Sequence, residues 1–106
     1  MSDPSMTEPP EMVHVDASFE PLIPRFMANR KKEIVTMRQA LTEQDFETVR
    51  SVAHGMKGVG GSYGFDKVTE LAATIEQAAK SADATSITQQ LHTLDGYLSN
   101  IQIAYD

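Results

Sequence analysis

The sequence predicts an all-α fold, a single antiparallel up-down four-helix bundle, and three observations predict it. Apolar residues recur at spacings of three, four and seven along four successive segments, which is the helical period. No segment shows sustained period-two alternation, and no Asn-Gly or Asp-Gly pair signals a hairpin. The connectors between the periodic segments are short, so consecutive helices must be antiparallel neighbours.

Residues 1–15 carry three of the five prolines, scattered acids and few periodic apolar residues. They are predicted to form a flexible tail ahead of a bundle domain spanning 16–106. From Phe19 the helix period takes over, with Leu22, Ile23, Phe26, Met27, Ile34, Met37 and Leu41 on one stripe. Pro21 and Pro24 suit a first turn, where the missing N–H is not needed, or else Pro24 kinks the helix. Arg30-Lys31-Lys32 reads as the solvated side of this helix.

With Thr42 as N-cap, the second helix is expected from about Glu43 to Ser62. Phe46, Val49, Ala53, Met56, Gly60 and Tyr63 form its inward face, and Gly64 is placed to end it in a left-handed conformation. Asp66 is expected to cap a third helix, with Val68, Leu71, Ala72, Ile75 and Ala79 inward and Lys80 near its end. After a turn at Ser81-Ala82-Asp83, a fourth helix carries Ile87, Leu91, Leu94, Leu98 and Ile101 on one face and ends near Tyr105.

Composition narrows the function. Among 106 residues the net charge is −6, which does not suit phosphate-backbone binding. No apolar run approaches the roughly 20 residues of a membrane span. The N-terminus lacks the basic and apolar regions of a secretory signal. The chain holds no cysteine, so disulfides, zinc–thiolate sites and thiol nucleophiles are excluded. These features point to a cytoplasmic protein, and Met1 with its acidic tail favours a free-standing one.

At 100° per residue, His54 projects about 140° from the centre of the buried arc of the second helix, which places it in solvent. Arg50 at i−4, Lys57 at i+3, Gly58 at i+4 and Gly61 at i+7 share its surface. Each glycine in a helix interior costs about 1 kcal/mol relative to alanine. Gly60 faces inward, where a missing Cβ lets a neighbouring helix approach. Gly58 and Gly61 face outward, where they leave the imidazole open to a partner's surface. Arg50 could assist at that surface or pair with Glu47 or Asp45. A P-loop is excluded, because GxxxxGK[ST] is absent and no strand precedes the glycines. His14 and His92 read as incidental. No two histidines have metal-site spacing, so no metal is expected on this chain.

The run Ala53-His54-Gly55-Met56-Lys57-Gly58, with Gly64 ten residues after the histidine and Leu71 and Ile75-Glu76 beyond, resembles the AH-x-[LM]-KG…G…L…LE signature of histidine-containing phosphotransfer (HPt) domains. The match is close over about residues 45–80, with Met56 where leucine is common. The resemblance implies that His54 is phosphorylated, that Lys57 neutralises the phosphoryl group, that Gly58 keeps the approach clear and that Gly64 turns the chain. It further implies a monomeric phosphocarrier without an enzyme activity of its own. Its partners would be response-regulator receiver domains or a hybrid sensor kinase, with Mg²⁺ and the reacting aspartate on the receiver. Histidine is the side chain whose charge changes nearest neutral pH, so a ring nitrogen is available to attack. One rival reading is a non-phosphorylated helical adaptor for a receiver or kinase. Another is a bundle that self-associates through Val52 and Val59, which otherwise widen the buried arc.

Overall fold

The computed structural model describes residues 11–106. Strand β1 (Met12–Val15) leads through a 3₁₀ turn (Ala17–Leu22) into helix α1 (Ile23–Thr42). Helix α2 (Phe46–Gly60) continues as a 3₁₀ turn (Gly61–Tyr63) before α3 (Asp66–Lys80) and α4 (Ala84–Asn100). Strand β2 (Gln102–Tyr105) closes the described chain. Each helix contacts the next and α1 closes on α4, with α2 and α3 in the most extensive contact.

The core follows the predicted stripes, apart from Leu22, which is exposed. Ile34, Met37, Val49, Ala53, Met56, Val68, Ala72, Ile75, Ile87, Leu91 and Leu94 are buried. Val52 and Val59 are partly buried against this core and widen the inward arc of α2. At one end Phe26 stacks on Phe65 with ring centroids 4.8 Å apart, and Tyr63 packs against Phe26 at 5.0 Å and Phe19 at 5.3 Å. Such aromatic pairs favour offset and edge contacts because their ring faces are electron-rich and their edges are not.

Two four-residue strands were not foreseen. The flexible tail predicted for 1–15 is corrected at its inner end: residues 1–10 lie outside the described residues, and Met12–Val15 form β1. β1 pairs in parallel with β2, Met12 opposite Gln102 and Val15 opposite Tyr105. The pairing buries Val13 and Val15 while Met12 and His14 face out. Gln102 N–H donates to the Glu11 carbonyl at 2.9 Å, and Asp106 N–H to that of Val15 at 2.9 Å. A parallel pair needs a long crossover, and here the entire bundle supplies it. The fourth helix accordingly stops at Asn100, not near Tyr105, because Ile101 turns extended with φ −70° and ψ 151°.

Helix boundaries shift for a shared reason. Gln44, Gly64 and Ala82 take left-handed backbone conformations with φ of 56°, 88° and 52°. After each, an N–H reaches back to a carbonyl five residues earlier: Asp45 to Ala40, Phe65 to Gly60 and Asp83 to Ala78, all at 2.9 Å. Asp45 and Asp83 then serve twice, because their carboxylates accept from Thr48 N–H and Ser86 N–H, each at 3.1 Å, and so start the next helix. α2 therefore begins at Phe46 under Asp45, rather than near Glu43 under Thr42. Asp66 is the first residue of α3 and not its cap; Phe65 holds that place without a side-chain bond. The first α-helix starts at Ile23, with Pro21 in the preceding 3₁₀ turn and Pro24 in the first α turn.

The basic run is corrected in part. Arg30 is buried, its guanidinium 4.8 Å from the Phe26 ring centroid and bonded to Glu33. Lys31 crosses to α4, where its ammonium lies 2.8 Å from Asp95 Oδ1 and 2.6 Å from Ser99 Oγ. Arg38 reaches the other oxygen of Asp95 at 3.4 Å. Only Lys32 of the three is exposed to solvent.

Candidate functional site

α2 is anchored at its start and buried along one side. The Asp45 carboxylate also accepts from the Thr48 hydroxyl at 2.6 Å, and these hydrogen bonds from Thr48 hold its carboxyl below the usual range. Val49, Ala53, Met56 and Gly60 face the core, so His54 is turned outward, with its side chain 65% exposed.

The ring is exposed but not free. His54 Nδ1 lies 2.9 Å from Oε2 of Glu76, which projects from α3. The Glu76 side chain is only 5% exposed, and its second oxygen, Oε1, is 2.7 Å from Lys57 Nζ. One buried carboxylate thus joins His54 and Lys57 of α2. The hydrogen bond from Lys57, opposed by burial and reinforced by His54, brings the Glu76 carboxyl down to about 2 from its ordinary 4.5. Glu76 is therefore ionised and has no proton to give. The hydrogen must sit on Nδ1, which leaves the lone pair of the neutral ring on Nε2, directed away from Glu76 toward solvent.

This geometry gives both cations that flank His54 a carboxylate partner, and of the two readings of Arg50 it favours the ion pair. Lys57 is already committed to Glu76. Arg50 is paired with Glu47 one turn back: its Nε lies 3.1 Å from Oε2, and an Nη2–Oε1 contact completes a forked pair.

The glycines separate by role. A Cβ on Gly58, or on Gly55, would meet nothing within 4 Å, so the surface beside His54 is open. A Cβ on Gly60 would lie 2.7 Å from Thr69 Oγ1 and 3.0 Å from Thr69 N, so close approach of α3 demands glycine there. Gly61 is exposed but lies past the end of α2. It lies in the 3₁₀ turn, its N–H donates to Thr69 Oγ1 at 2.9 Å, and its Cβ would touch Thr69 and Asp66 at 3.6 and 3.7 Å. Gly64, at φ 88°, turns the chain, and a Cβ there would stand 3.2 Å from the His14 carbonyl.

Two contributors went unassigned in the sequence. Glu76 follows Ile75 and lies four residues after Ala72, a carboxylate at the edge of a buried stripe, and that placement was its signal. The Thr69 hydroxyl accepts from Gly61 N–H and donates to the Lys57 carbonyl at 3.0 Å, tying the last turn of α2 to α3. Nothing in the spacing of Thr69 announces this. His92 is exposed on α4, and His14 Nδ1 lies 3.3 Å from Asp106 Oδ1 with both side chains exposed. Among the described residues, no group of three or more His, Cys, Asp or Glu is placed to hold a metal, and no helix is long and apolar enough to cross a membrane.

The four-helix module presents the His54 imidazole with its inner nitrogen held by a carboxylate and its outer nitrogen turned to solvent. Residues 22–104 match the family model described as the Hpt domain, and the chain belongs to that family. Its members are phosphocarriers of two-component phosphorelays, interacting with receiver and kinase domains. Searches of the curated proteins and of the solved structures return no match.

Proposed function

We propose that this chain accepts a phosphoryl group on Nε2 of His54 from the aspartyl phosphate of a receiver domain, or from a kinase, and passes it to another receiver. One observation carries the reading: Glu76 occupies Nδ1 of a solvent-facing ring, so the available lone pair points outward. Attack by Nε2 on phosphorus makes a phosphohistidine, a covalent intermediate on a side chain. Phosphoryl transfer depends mostly on positioning and on stabilising charge over the phosphoryl oxygens. Lys57, poised one turn along, supplies charge-assisted hydrogen bonds once the group arrives. The open positions at Gly55 and Gly58 let the partner's catalytic surface come close to the helix.

In this reading the chain is a carrier and not an enzyme. The receiver brings the reacting aspartate and the Mg²⁺, and the carrier acts as a cytoplasmic monomer. Its short connectors favour helices running up and down in alternation.

The test is incubation with a receiver carrying labelled aspartyl phosphate. The expected product is an acid-labile, alkali-stable label on the chain that is lost in His54→Gln with helicity unchanged. Label persisting in that variant defeats the assignment, and no label on the native chain returns the adaptor reading.

A further inference from the structure

We propose that Thr69 is a positioning residue for phosphoryl transfer, its hydroxyl fixing the turn of α2 that carries Lys57. The proposal rests on the phosphocarrier reading and adds to it what holds the cation in place on a glycine-rich helix end.

In a continued helix the Gly61 N–H would bond to the Lys57 carbonyl four residues back. Here it donates to Thr69 Oγ1 at 2.9 Å, and that hydroxyl donates on to the same Lys57 carbonyl at 3.0 Å. A side chain of α3 therefore bridges the two ends of one helical step in α2. The ends of α1, α3 and α4 close on the backbone instead: Glu43 N–H donates to Ala40, Ser81 N–H to Gln77 and Ile101 N–H to Tyr97. A side chain entering the hydrogen-bond ladder distorts a helix, and at this point α2 stops at Gly60 and tightens into the 3₁₀ turn.

Lys57 is thereby held from α3 at two points. Its carbonyl, directed toward the end of α2, meets Thr69, and its side chain, slanting back toward the start, reaches Glu76. Thr69 and Glu76 lie two turns apart on one face of α3. When the ammonium turns from Glu76 to the phosphoryl oxygens, the backbone bridge is the anchor that remains.

The glycines explain why an anchor is needed. Gly55 and Gly58 leave the surface beside His54 open, and glycine frees the backbone that it clears. Gly60 supplies the room for the bridge, since a Cβ there would lie 2.7 Å from Thr69 Oγ1. A misplacement of about 1 Å is enough to slow a positioned reaction, so a loose turn under Lys57 would be felt at the phosphoryl group.

The experiment phosphorylates the full-length protein with phosphoramidate, from which ammonia leaves as the Nε2–P bond forms. The rate at His54 is followed by ³¹P NMR under conditions where circular dichroism shows each variant folded. Thr69→Val, which keeps the shape and removes the hydroxyl, should slow labelling about fivefold, the effect of one neutral hydrogen bond. Thr69→Ser should restore the rate. Because Thr69 acts through Lys57, adding Thr69→Val to Lys57→Ala should slow the reaction no further. A native rate in Thr69→Val, no rescue by serine, or losses that multiply in the double variant overturn the proposal. In the native protein the Gly61 amide, although exposed, should exchange slowly with deuterium. Exchange at the rate of an open turn overturns the proposal even where the variants fail to fold. Absence of label on native His54 overturns the phosphocarrier reading and this proposal with it, whereas label with multiplying losses overturns this proposal alone.

Discussion

Two carboxylates in this bundle each hold two basic groups, and they do different work. Glu76 on α3 joins His54 and Lys57 of α2, and Asp95 on α4 joins Lys31 and Arg38 of α1. Both carboxyls are held below their ordinary range, foremost by a hydrogen bond from the lysine. The difference lies in solvent and in the second partner. Asp95 is 34% exposed and its partners are two permanent cations, so it behaves as a surface staple between helices. Glu76 is shielded, and one of its partners is an imidazole, whose two nitrogens communicate through the ring. Fixing one nitrogen determines what the other can do. A shared pattern of charges becomes a site only where burial meets a group with chemistry to spare.

The largest contrast is expected from the two lysines. Lys57→Ala should slow transfer about tenfold, the effect of one charge-assisted hydrogen bond, with the bundle still folded. Lys31→Ala should leave transfer unchanged. Equal slowing by both, or cooperative unfolding of Lys57→Ala, would erase the distinction.

Acid separates the clusters next. Glu76 has its carboxyl lowered in the fold, so its contribution to stability is full above about 4.5 and fades as pH falls toward about 2. The Nδ1 contact should follow the same window, read from the His54 ring signals during acid titration. At neutral pH, concentrated salt should loosen the Lys31–Asp95–Arg38 pairing while sparing the shielded Glu76 contacts. A His54–Glu76 contact that opens in neutral salt would place Glu76 in water.

Asp95→Asn should have the smallest effect. Its cost in denaturant unfolding is expected below about 1 kcal/mol, ordinary for an exposed pair, and a larger cost would promote Asp95 from staple to keystone.

Much of this was legible because helices bury a stripe. The stripe of α2 turns His54 outward, and the same stripe puts Gly60 inside. What stayed hidden depends on partners remote in sequence. Glu76 lies 22 residues beyond His54, and only the packing of α3 on α2 brings its carboxylate under the ring. Gly61 sits beside Thr69 because the chain tightens into a 3₁₀ turn there, which ends the 100° projection. Gln44 and Ala82 adopt a conformation usually signalled by glycine, so the helix starts near Asp45 and Asp83 carried no glycine mark. Arg30 was read as solvated, although Phe26 lies four residues before it, close enough for the guanidinium to cover its ring. Strands of four residues are too short to show alternation, and the partner of Val13 is Ile103.

The parallel ribbon gives the fold a mechanical character. Met12 enters one end of the ladder and Tyr105 leaves at the other, so tension between the flanking segments slides the strands along each other. The hydrogen bonds, which cross between the strands, are then loaded together and not peeled one by one. A pull from both sides meets a shear clasp first, and the helices behind it feel the load only after that clasp gives way.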